Sequence, residues 1–521
     1  MPAELTQAIA QVFTLHVIGY VTFGVFIGYL VGALPGMNRA TAIALLIPFT
    51  FGMSPLAAIS FLIGLNKGGA AGCAVSAILI NVPGEPSAVV TTLDGYPLTR
   101  QGRSQKALKV ALYASVLGDL GATVVLIVLA APLARLAVGT GPVELTAVML
   151  FAITFIAAVS GRSFYKGVIS GFLGLLLAAP RLDLETGLPR LTFGFVDLFD
   201  GIPLLAVAIG TLALSEVLVQ IDRGWRAEYG HKMQYMQPAS DADRRLSWSE
   251  FWSCLPTIIR STGVGVLIGL LPGLGASLSS FLSYAWTKRR AADPERFGRG
   301  AIEGVAASES ADNASVPASL IPVFAIGLPG SVSTALLMGA FMLHGLTPGP
   351  NLLRDDSVLV YGIFVGMLLA SGILLLVGSI GQRFFSRVIL VSDAILLPVI
   401  VFLCVIGAYL EGGGLFGVYL MLVFAFVGYF MKKYDYSFVT FLIGFILGPM
   451  AELAMRQAMI ITDARVASLL DHPVAIVFLV LAVLSVWKFG SIHLVTEAPV
   501  RPSSYDESAS DNASNSERST R

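Results

Sequence analysis

The chain has 521 residues, of which 55% are hydrophobic and 13% are charged. A soluble globular domain carries about 25% charged residues, so this composition excludes a soluble globular protein. Lys plus Arg and Asp plus Glu number 33 each. The balance leaves no basic excess for nucleic-acid binding and no acidic, disordered character.

The glycine, proline and cysteine contents narrow the class of protein further. The chain has 54 glycines and 26 prolines, so glycine makes up about 10% of it, against roughly 7% in an average protein. Because both residues weaken or break helices, a plain bundle of uninterrupted helices is excluded. The three cysteines are far apart and no His-Glu-x-x-His motif occurs. We therefore expect no disulfide framework, no zinc site and no cofactor.

Apolar runs predict membrane helices along the whole chain. The N-terminus lacks the basic region and cleavage site of a signal peptide, so we expect the first run to be a retained helix. We predict an all-α polytopic protein of the lipid bilayer, with about 10–12 transmembrane helices of about 20 residues each. The clearest runs are 14–34, 107–134, 143–160, 166–179, 202–221, 357–379, 391–410, 415–431 and 473–489.

Polar segments divide the chain. The stretch 222–250 is the most polar internal one, and we predict that it is a cytoplasmic linker between a first membrane repeat, 1–221, and a second, 251–495. Residues 496–521 are rich in Ser, Asp, Glu and Asn, which predicts a disordered C-terminal tail. Clustered lysines and arginines place several loops on the cytoplasmic side. These clusters are Arg100–Lys106, Lys288–Arg299, Arg383–Arg387 and Lys432–Lys433.

The two halves contain matching Gly/Pro motifs. GALPG at 32–36 corresponds to GLLPG at 269–273, and NVPGEPSA at 81–88 corresponds to GLPGSVSTA at 327–335. Broken helices are tolerated in lipid only where they are buried or line a cavity, and paired breaks in two halves are typical of a secondary transporter's binding site. We predict two inverted repeats; simple helix ends and tight turns are the alternative. The structural residues expected at these breaks are Gly32, Pro35, Gly269 and Pro272.

Each repeat is expected to contain a re-entrant helical hairpin, at about 69–93 and about 314–345. The second arm of each would begin beside its tip, and a helix N-terminus suits an anion to which hydroxyls add donors. This arrangement predicts an organic carboxylate as substrate, although Ser and Thr at these positions also cap helices. The predicted substrate-binding residues are Lys67, Asn81, Pro83, Gly84, Ser87, Pro329, Gly330, Ser331, Ser333 and Thr334.

A coupling cation is the second expected ligand. Carbonyl groups at helix breaks and Asn or Asp side chains coordinate Na⁺; H⁺ is the other candidate ion, and no further metal is expected. The predicted cation-binding residues are Asn66, Asp312, Asn313, Gly36 and Gly273.

Two basic residues lie in apolar surroundings, where an ionisable group is by default functional. Arg39 and Lys67 would each pair with the substrate or with Glu85, or else reach an interface. Removal of Lys67 is expected to impair uptake more than removal of Arg39. Asp94-Gly95 is interpreted as a structural turn at a helix end.

Several stretches resemble one family over nearly the whole chain. The most specific are LDGYPLTRQG (93–102) and ERFGRGAIEGVAA (295–307). With GYLVGALPG (28–36) and IGLPGSVSTALLMGAFMLHGLTPGP (326–350), they resemble the large membrane subunit of the tripartite tricarboxylate transporters. The family often has aromatic or small residues at Asn66-Lys67, a neutral residue at Arg39 and two asparagines at Asp312-Asn313, so this chain departs from it beside the expected site.

The resemblance implies a protein of the bacterial inner membrane that works with a small four-helix membrane subunit and a periplasmic solute-binding protein. Such systems import citrate-like or other carboxylates by using an ion gradient, and the chain has no ATP-binding phosphate loop. The resemblance also implies an elevator-like transport domain that moves against a scaffold. We expect a transporter subunit and not an enzyme; a channel and a membrane-embedded enzyme are the alternatives.

Overall fold

The computed structural model describes residues 2–34, 37–138, 141–159, 163–183, 186–222, 245–271, 275–388, 393–463 and 465–495. Four predicted site residues, Pro35, Gly36, Pro272 and Gly273, lie outside these ranges. So do residues 223–244 of the expected linker and the expected tail.

The first half is almost wholly helical. A two-stranded antiparallel sheet, with Arg181 opposite Arg190, interrupts the helices. The elements are α1 (Pro2–Val12), α2 (Leu15–Ala33), α3 (Arg39–Leu46), a 3₁₀ turn (Ile47–Thr50), α4 (Pro55–Ile80), α5 (Ala88–Arg100), α6 (Ser104–Val138), α7 (Pro142–Val159), α8 (Phe164–Leu177), β1 (Arg181–Leu182), β2 (Pro189–Arg190), a 3₁₀ turn (Val196–Leu198), α9 (Leu204–Ala208), a π-helical turn (Ile209–Leu214) and α10 (Ser215–Asp222).

The second half is helical throughout its described residues. Its elements are α11 (Trp248–Gly269), α12 (Gly275–Arg290), a 3₁₀ turn (Pro294–Arg296), α13 (Ile302–Ala318), α14 (Ile321–Ile326), α15 (Val332–Leu343), α16 (Leu352–Asp355), α17 (Ser357–Val388), α18 (Asp393–Glu411), α19 (Leu415–Lys433), α20 (Phe438–Ile461), a 3₁₀ turn (Val466–Asp471) and α21 (Pro473–Val495).

Eight helices within the described residues are long and apolar enough to cross a membrane. By the length and composition of its helices, the chain is therefore an all-α polytopic membrane protein. Three of the eight were absent from the runs expected to be the clearest: Pro55–Ile80, Trp248–Gly269 and Phe438–Ile461. The first is 94% buried across its most apolar window, because other helices shield it from lipid, and so it tolerates the polar pair Asn66-Lys67.

Part of the glycine excess serves helix packing. Gly24, Gly28 and Gly32 recur every four residues along α2 and face the backbone of α4. A Cβ on Gly28 would stand 2.1 Å from the carbonyl oxygen of Leu65, so the two backbones touch as in small-xxx-small membrane interfaces. Gly32 accordingly lies inside α2 and contacts α4, where a helix break was expected.

The same contact recurs in the second half. On α11, a Cβ on Gly265 would stand 2.5 Å from the carbonyl oxygen of Ala311, and one on Gly269 would stand 2.7 Å from Cβ of Ala318. Helix α11 therefore packs on α13 as α2 packs on α4. Gly269 is the last residue of α11, so it combines the expected helix end with close packing.

The first hairpin differs from its expected form. Helix α4 runs without interruption from Pro55 to Ile80, so no separate arm begins near residue 69. The chain turns at Asn81, which has a left-handed backbone with φ of 58°, and reaches α5 through residues 82–87. In the second half Gly327 makes the corresponding turn with φ of 71°, after an arm that is broken between α13 and α14.

The two halves interlock around their hairpins. Helix α6 of the first half packs against α13 of the second, and α17 of the second half packs against α4 of the first. Each hairpin-bearing helix therefore packs against helices of both halves.

Candidate substrate and cation site

The two most specific sequence stretches bind each other. Asp94 is fully buried, and its Oδ1 accepts hydrogen bonds from the backbone N–H groups of Gly298, Gly300 and Ala301 at 2.8, 2.9 and 2.8 Å. Its Oδ2 accepts one from the Tyr284 hydroxyl at 3.0 Å. Asp94 lies inside α5, so the interpretation as a turn at a helix end was wrong. The carboxylate fixes the loop that begins α13, and α13 carries much of the site.

Asp94→Asn is expected to lower the free energy of unfolding by about 1.5–3 kcal/mol, the usual contribution of hydrogen bonds to a charged group. The amide retains one acceptor oxygen and loses the charge that attracts the three N–H groups. Thermal unfolding in detergent is the measurement, and the exposed Asp197→Asn is the control. Equal unfolding temperatures for the two variants would contradict this role.

Arg39 joins the hairpins of the two halves. Its backbone N–H donates to Oε1 of Glu85 at 2.8 Å, so this carboxylate lies at the N-terminus of α3, where negative charge is favourable. Its Nη2 lies 3.1 Å from Oε2 of Glu85 and 3.3 Å from Oδ1 of Asp312. The Ser87 hydroxyl donates to the other oxygen of Asp312 at 3.0 Å. The expected pairing with Glu85 thus occurs at Arg39.

A small cavity lies beside this ion cluster. Its volume of about 20 Å³ has room for about one water-sized group, so an organic acid would enter only if the surrounding segments separated. Nη1 of Arg39 and Oδ1 of Asn66 are buried and have no hydrogen-bond partner among the described residues. The lining residues are Arg39, Asn66, Gly269, Gly275, Ala276, Ser315, Val316, Ser319, Ser331 and Ser333.

The second hairpin tip supplies two hydroxyls to the cavity, those of Ser331 and Ser333. Ser331 and Thr334 also form a capping box, in which each side-chain oxygen accepts from the other residue's backbone N–H. Thr334 is fully buried and is not a lining residue. Gly330 packs tightly, because a Cβ there would stand 2.9 Å from Cβ of Ser319.

The first tip contributes differently from the expectation. Asn81 is exposed and ends α4. Its left-handed backbone, rather than a contact in the cavity, accounts for an asparagine at this position. A Cβ on Gly84 would stand 2.9 Å from the carbonyl oxygen of Met37, so this glycine permits close packing of the tip. Neither Pro83 nor Pro329 lines the cavity in the described structure.

Consecutive residues of the two hairpin helices face different neighbours. Asn66 lines the cavity and Asp312 binds Arg39. Their neighbours Lys67 and Asn313 point to α6 instead, where Asn313 Nδ2 donates to the Ser115 hydroxyl at 2.9 Å. Lys67 therefore lies apart from the cavity, whereas Asn313 contacts the site through the Glu309 carboxylate at 3.5 Å.

Lys67 is fully enclosed between three helices. Its ammonium donates to Oδ2 of Asp119 at 2.9 Å, to the Thr123 hydroxyl at 3.0 Å, to the Met367 carbonyl at 2.9 Å and to the Ser371 hydroxyl at 3.0 Å. Its side chain is 0% exposed. The structure therefore does not bring Lys67 to the cavity, and its partner is Asp119, neither Glu85 nor an interface.

Glu309 was not among the substrate- or cation-binding residues predicted from the sequence, yet it adds a third buried carboxyl group to the site. It is fully buried, and its carboxyl group accepts from the hydroxyls of Thr91 at 2.5 Å and Ser115 at 3.0 Å. Among the described residues no Lys or Arg pairs with it. It stands three positions before Asp312, on the same helix face. That spacing of two acidic residues, in a helix that is buried from residue 304 onward in spite of its serines, was the signal available in the sequence.

The described residues contain no group of three or more His, Cys, Asp or Glu side chains arranged to hold a metal ion. The ion cluster instead consists of one arginine, Arg39, and three buried carboxyl groups, those of Glu85, Glu309 and Asp312. Such a set carries excess negative charge unless it takes up cations or protons, since isolated charges are costly to bury.

Comparisons with known proteins agree with these features. An uncharacterized 52.8 kDa protein in the TAR-I ttuC' 3' region of Agrobacterium vitis is 34% identical over 452 residues, which cover 87% of this chain and 89% of that protein. An uncharacterized protein in the TAR-II ttuC' 3' region of the same organism is 36% identical over 211 residues, 40% of this chain and 87% of that protein. No solved structure matches significantly. Residues 18–443 match the family described as tripartite tricarboxylate transporter TctA family, and the chain belongs to that family.

Proposed function

We propose that this chain is the large transmembrane subunit of a tripartite, binding-protein-dependent secondary transporter that imports an organic carboxylate with a cation gradient. The observation that carries the proposal is the cavity in which Arg39 Nη1 and Asn66 Oδ1 are buried with no hydrogen-bond partner in the described part of the chain. A buried, unsatisfied polar atom costs about 1–3 kcal/mol. A carboxylate would accept from the arginine, and a hydroxyl of the same acid would donate to the amide oxygen.

The charges of the cluster support cation coupling. Arg39 is shared between Glu85 and Asp312, so a substrate carboxylate competes with two internal carboxylates for one guanidinium. Uptake of Na⁺ or H⁺ by the acidic groups would relieve that competition. A cation that binds first would thus raise the affinity for the anion, which is positive coupling between the two sites.

The proposed movement is that of an elevator. The matching order of elements and the equivalent packing of α2 on α4 and α11 on α13 support two inverted repeats. The Asp94 contacts and the Arg39–Asp312 pair bind the two hairpins to each other, so the hairpins would move together as the transport domain. The expected partners are the small membrane subunit and the periplasmic solute-binding protein, in the bacterial inner membrane.

Reconstitution into proteoliposomes with both partners tests the function. We expect uptake of citrate or a related carboxylate that requires the binding protein and accumulates against its gradient when Na⁺ or H⁺ is higher outside. Flux that only dissipates gradients would indicate a channel, and chemical conversion of the acid would indicate an enzyme. Accumulation without any ion gradient would contradict cation coupling.

Glu309 offers a separate test of the coupling ion. Glu309→Gln keeps an oxygen that accepts from Thr91 or Ser115 and cannot exchange a proton. If the site exchanges H⁺ through this carboxyl group, the variant should bind substrate normally and lose accumulation driven by a pH gradient. Asn313→Ala is the matched control, because it removes a donor to Ser115 and to the backbone and carboxylate of Glu309 but keeps the carboxyl group. Unchanged pH-driven accumulation in Glu309→Gln would assign coupling to another group.

A further inference from the structure

The ammonium group of Lys67 is surrounded by oxygen atoms from two neighbouring helices. Four oxygens lie 2.9–3.0 Å from Nζ: one carboxylate oxygen, two hydroxyl oxygens and one backbone carbonyl oxygen. An ammonium group has three N–H donors, so this shell holds more acceptors than Lys67 has protons. Hard cations such as Na⁺ take oxygen ligands of these kinds.

The hydroxyls are oriented as they would be around a metal ion. Ser371 Oγ has two acceptors within reach of its one proton, Oδ2 of Asp119 at 2.6 Å and the Met367 carbonyl at 2.9 Å. Thr123 Oγ1 donates its proton to the backbone carbonyl of Asp119 at 2.8 Å. Each hydroxyl therefore turns a lone pair toward Nζ of Lys67. The shell is assembled from α6 and α17, while α4 supplies the lysine.

One further atom is not satisfied by the lysine. Asp119 is 1% exposed, and its Oδ1 has no hydrogen-bond partner among the described residues. A cation held by both carboxylate oxygens would satisfy it.

We propose that the Lys67 ammonium occupies an alkali-cation site, so that the chain carries a tethered cation between α4, α6 and α17 where Na⁺ would bind without it. The four oxygens then take no exchangeable ion in this protein. Coupling ions, in the proposed function, must bind elsewhere. The inference concerns cation binding alone and stands or falls independently of transport.

The decisive variant is Lys67→Ala, which removes the ammonium and leaves the oxygen shell. Thermal unfolding of the purified full chain in detergent is measured with increasing NaCl, at ionic strength held constant with choline chloride. We expect Lys67→Ala to be destabilised in choline and to regain several degrees of unfolding temperature with Na⁺, saturably, as binding to the folded state requires. The wild type should show no specific response to Na⁺.

Three controls separate the alternatives. Propylammonium, which replaces the removed atoms of the lysine, should stabilise Lys67→Ala if the shell is intact and reachable. Lys67→Ala combined with Asp119→Asn should lose the response to Na⁺, because the charge of the shell is gone. Lys106→Ala, which removes an ammonium paired with Glu250, should show no specific Na⁺ response.

Stabilisation by propylammonium without stabilisation by Na⁺ would overturn the proposal, since the shell would then accept an amine and reject the metal ion. A variant that stays unfolded in every medium would overturn it too, because bound Na⁺ should replace the contacts of the lost ammonium. Neither result would bear on uptake by the wild type, so failure here and failure of the proposed function are distinguishable.

Discussion

Arg39→Lys is expected to lower carboxylate uptake about 10- to 100-fold, the equivalent of one charged hydrogen bond of about 1.5–3 kcal/mol. A lysine preserves the positive charge between Glu85 and Asp312, so the helices should remain paired and the protein folded. It lacks the planar fork of the guanidinium, and its one nitrogen cannot bind the internal carboxylates and also reach the cavity. The loss should therefore appear in the affinity for substrate.

The measurement is initial uptake against substrate concentration in proteoliposomes, with unfolding temperature recorded for the same preparations. The matched control is Arg296→Lys, because Arg296 is more than half exposed and pairs with Glu303 at 2.8 Å. It should transport as the wild type does. Wild-type uptake by Arg39→Lys would show that the second guanidinium nitrogen does not bind substrate and would remove the main support for the site.

From the sequence alone, removal of Lys67 was expected to impair uptake more than removal of Arg39. The structure reverses that order. The apolar surroundings of both residues in the sequence indicate that each ionisable group has a function. The direction in which each side chain points depends on how the helices pack. Asn66 and Lys67 diverge by about 100° around α4, since an α-helix has 3.6 residues per turn. The residue that faces the cavity can be chosen only when α2, α6 and α17 are in place.

The part of the fold that could be predicted from the sequence is the part that hydropathy controls, namely the lipid-exposed membrane helices. Lipid-exposed helices such as α17 stand out by composition, whereas α4 is enclosed by protein and is marked by glycines and the Asn66-Lys67 pair. The repeated motifs pointed to the segment with Ser331 and Ser333, which line the cavity, and their roles as substrate ligands stay predictions. The partnership of Asp94 with residues 298–301 was not predictable, because single-sequence patterns carry no information on contacts across 200 positions.

Gly28→Leu is expected to prevent folding of the chain, while Gly19→Leu on the same helix is expected to be tolerated. A Cβ on Gly28 would stand 2.1 Å from the carbonyl oxygen of Leu65, whereas nothing lies within 4 Å of a Cβ on Gly19. Overpacking of a well-packed site costs about 1–3 kcal/mol and more when backbone must move. Here the obstacle is backbone, so α2 and α4 would have to separate along the glycine seam.

Separation of α2 from α4 would also disturb the site, because α4 carries Asn66, which lines the cavity. Yield of monodisperse protein and unfolding temperature are the measurements, with Gly28→Ala as the milder change. Gly28→Ala should unfold at a clearly lower temperature than Gly19→Ala, and its loss of uptake should follow its loss of folded protein. Arg39→Lys should instead lose uptake at full stability. If Gly28→Leu gave stable, monodisperse protein, the close approach of α2 and α4 would be wrong, and with it the placement of Asn66 in the cavity.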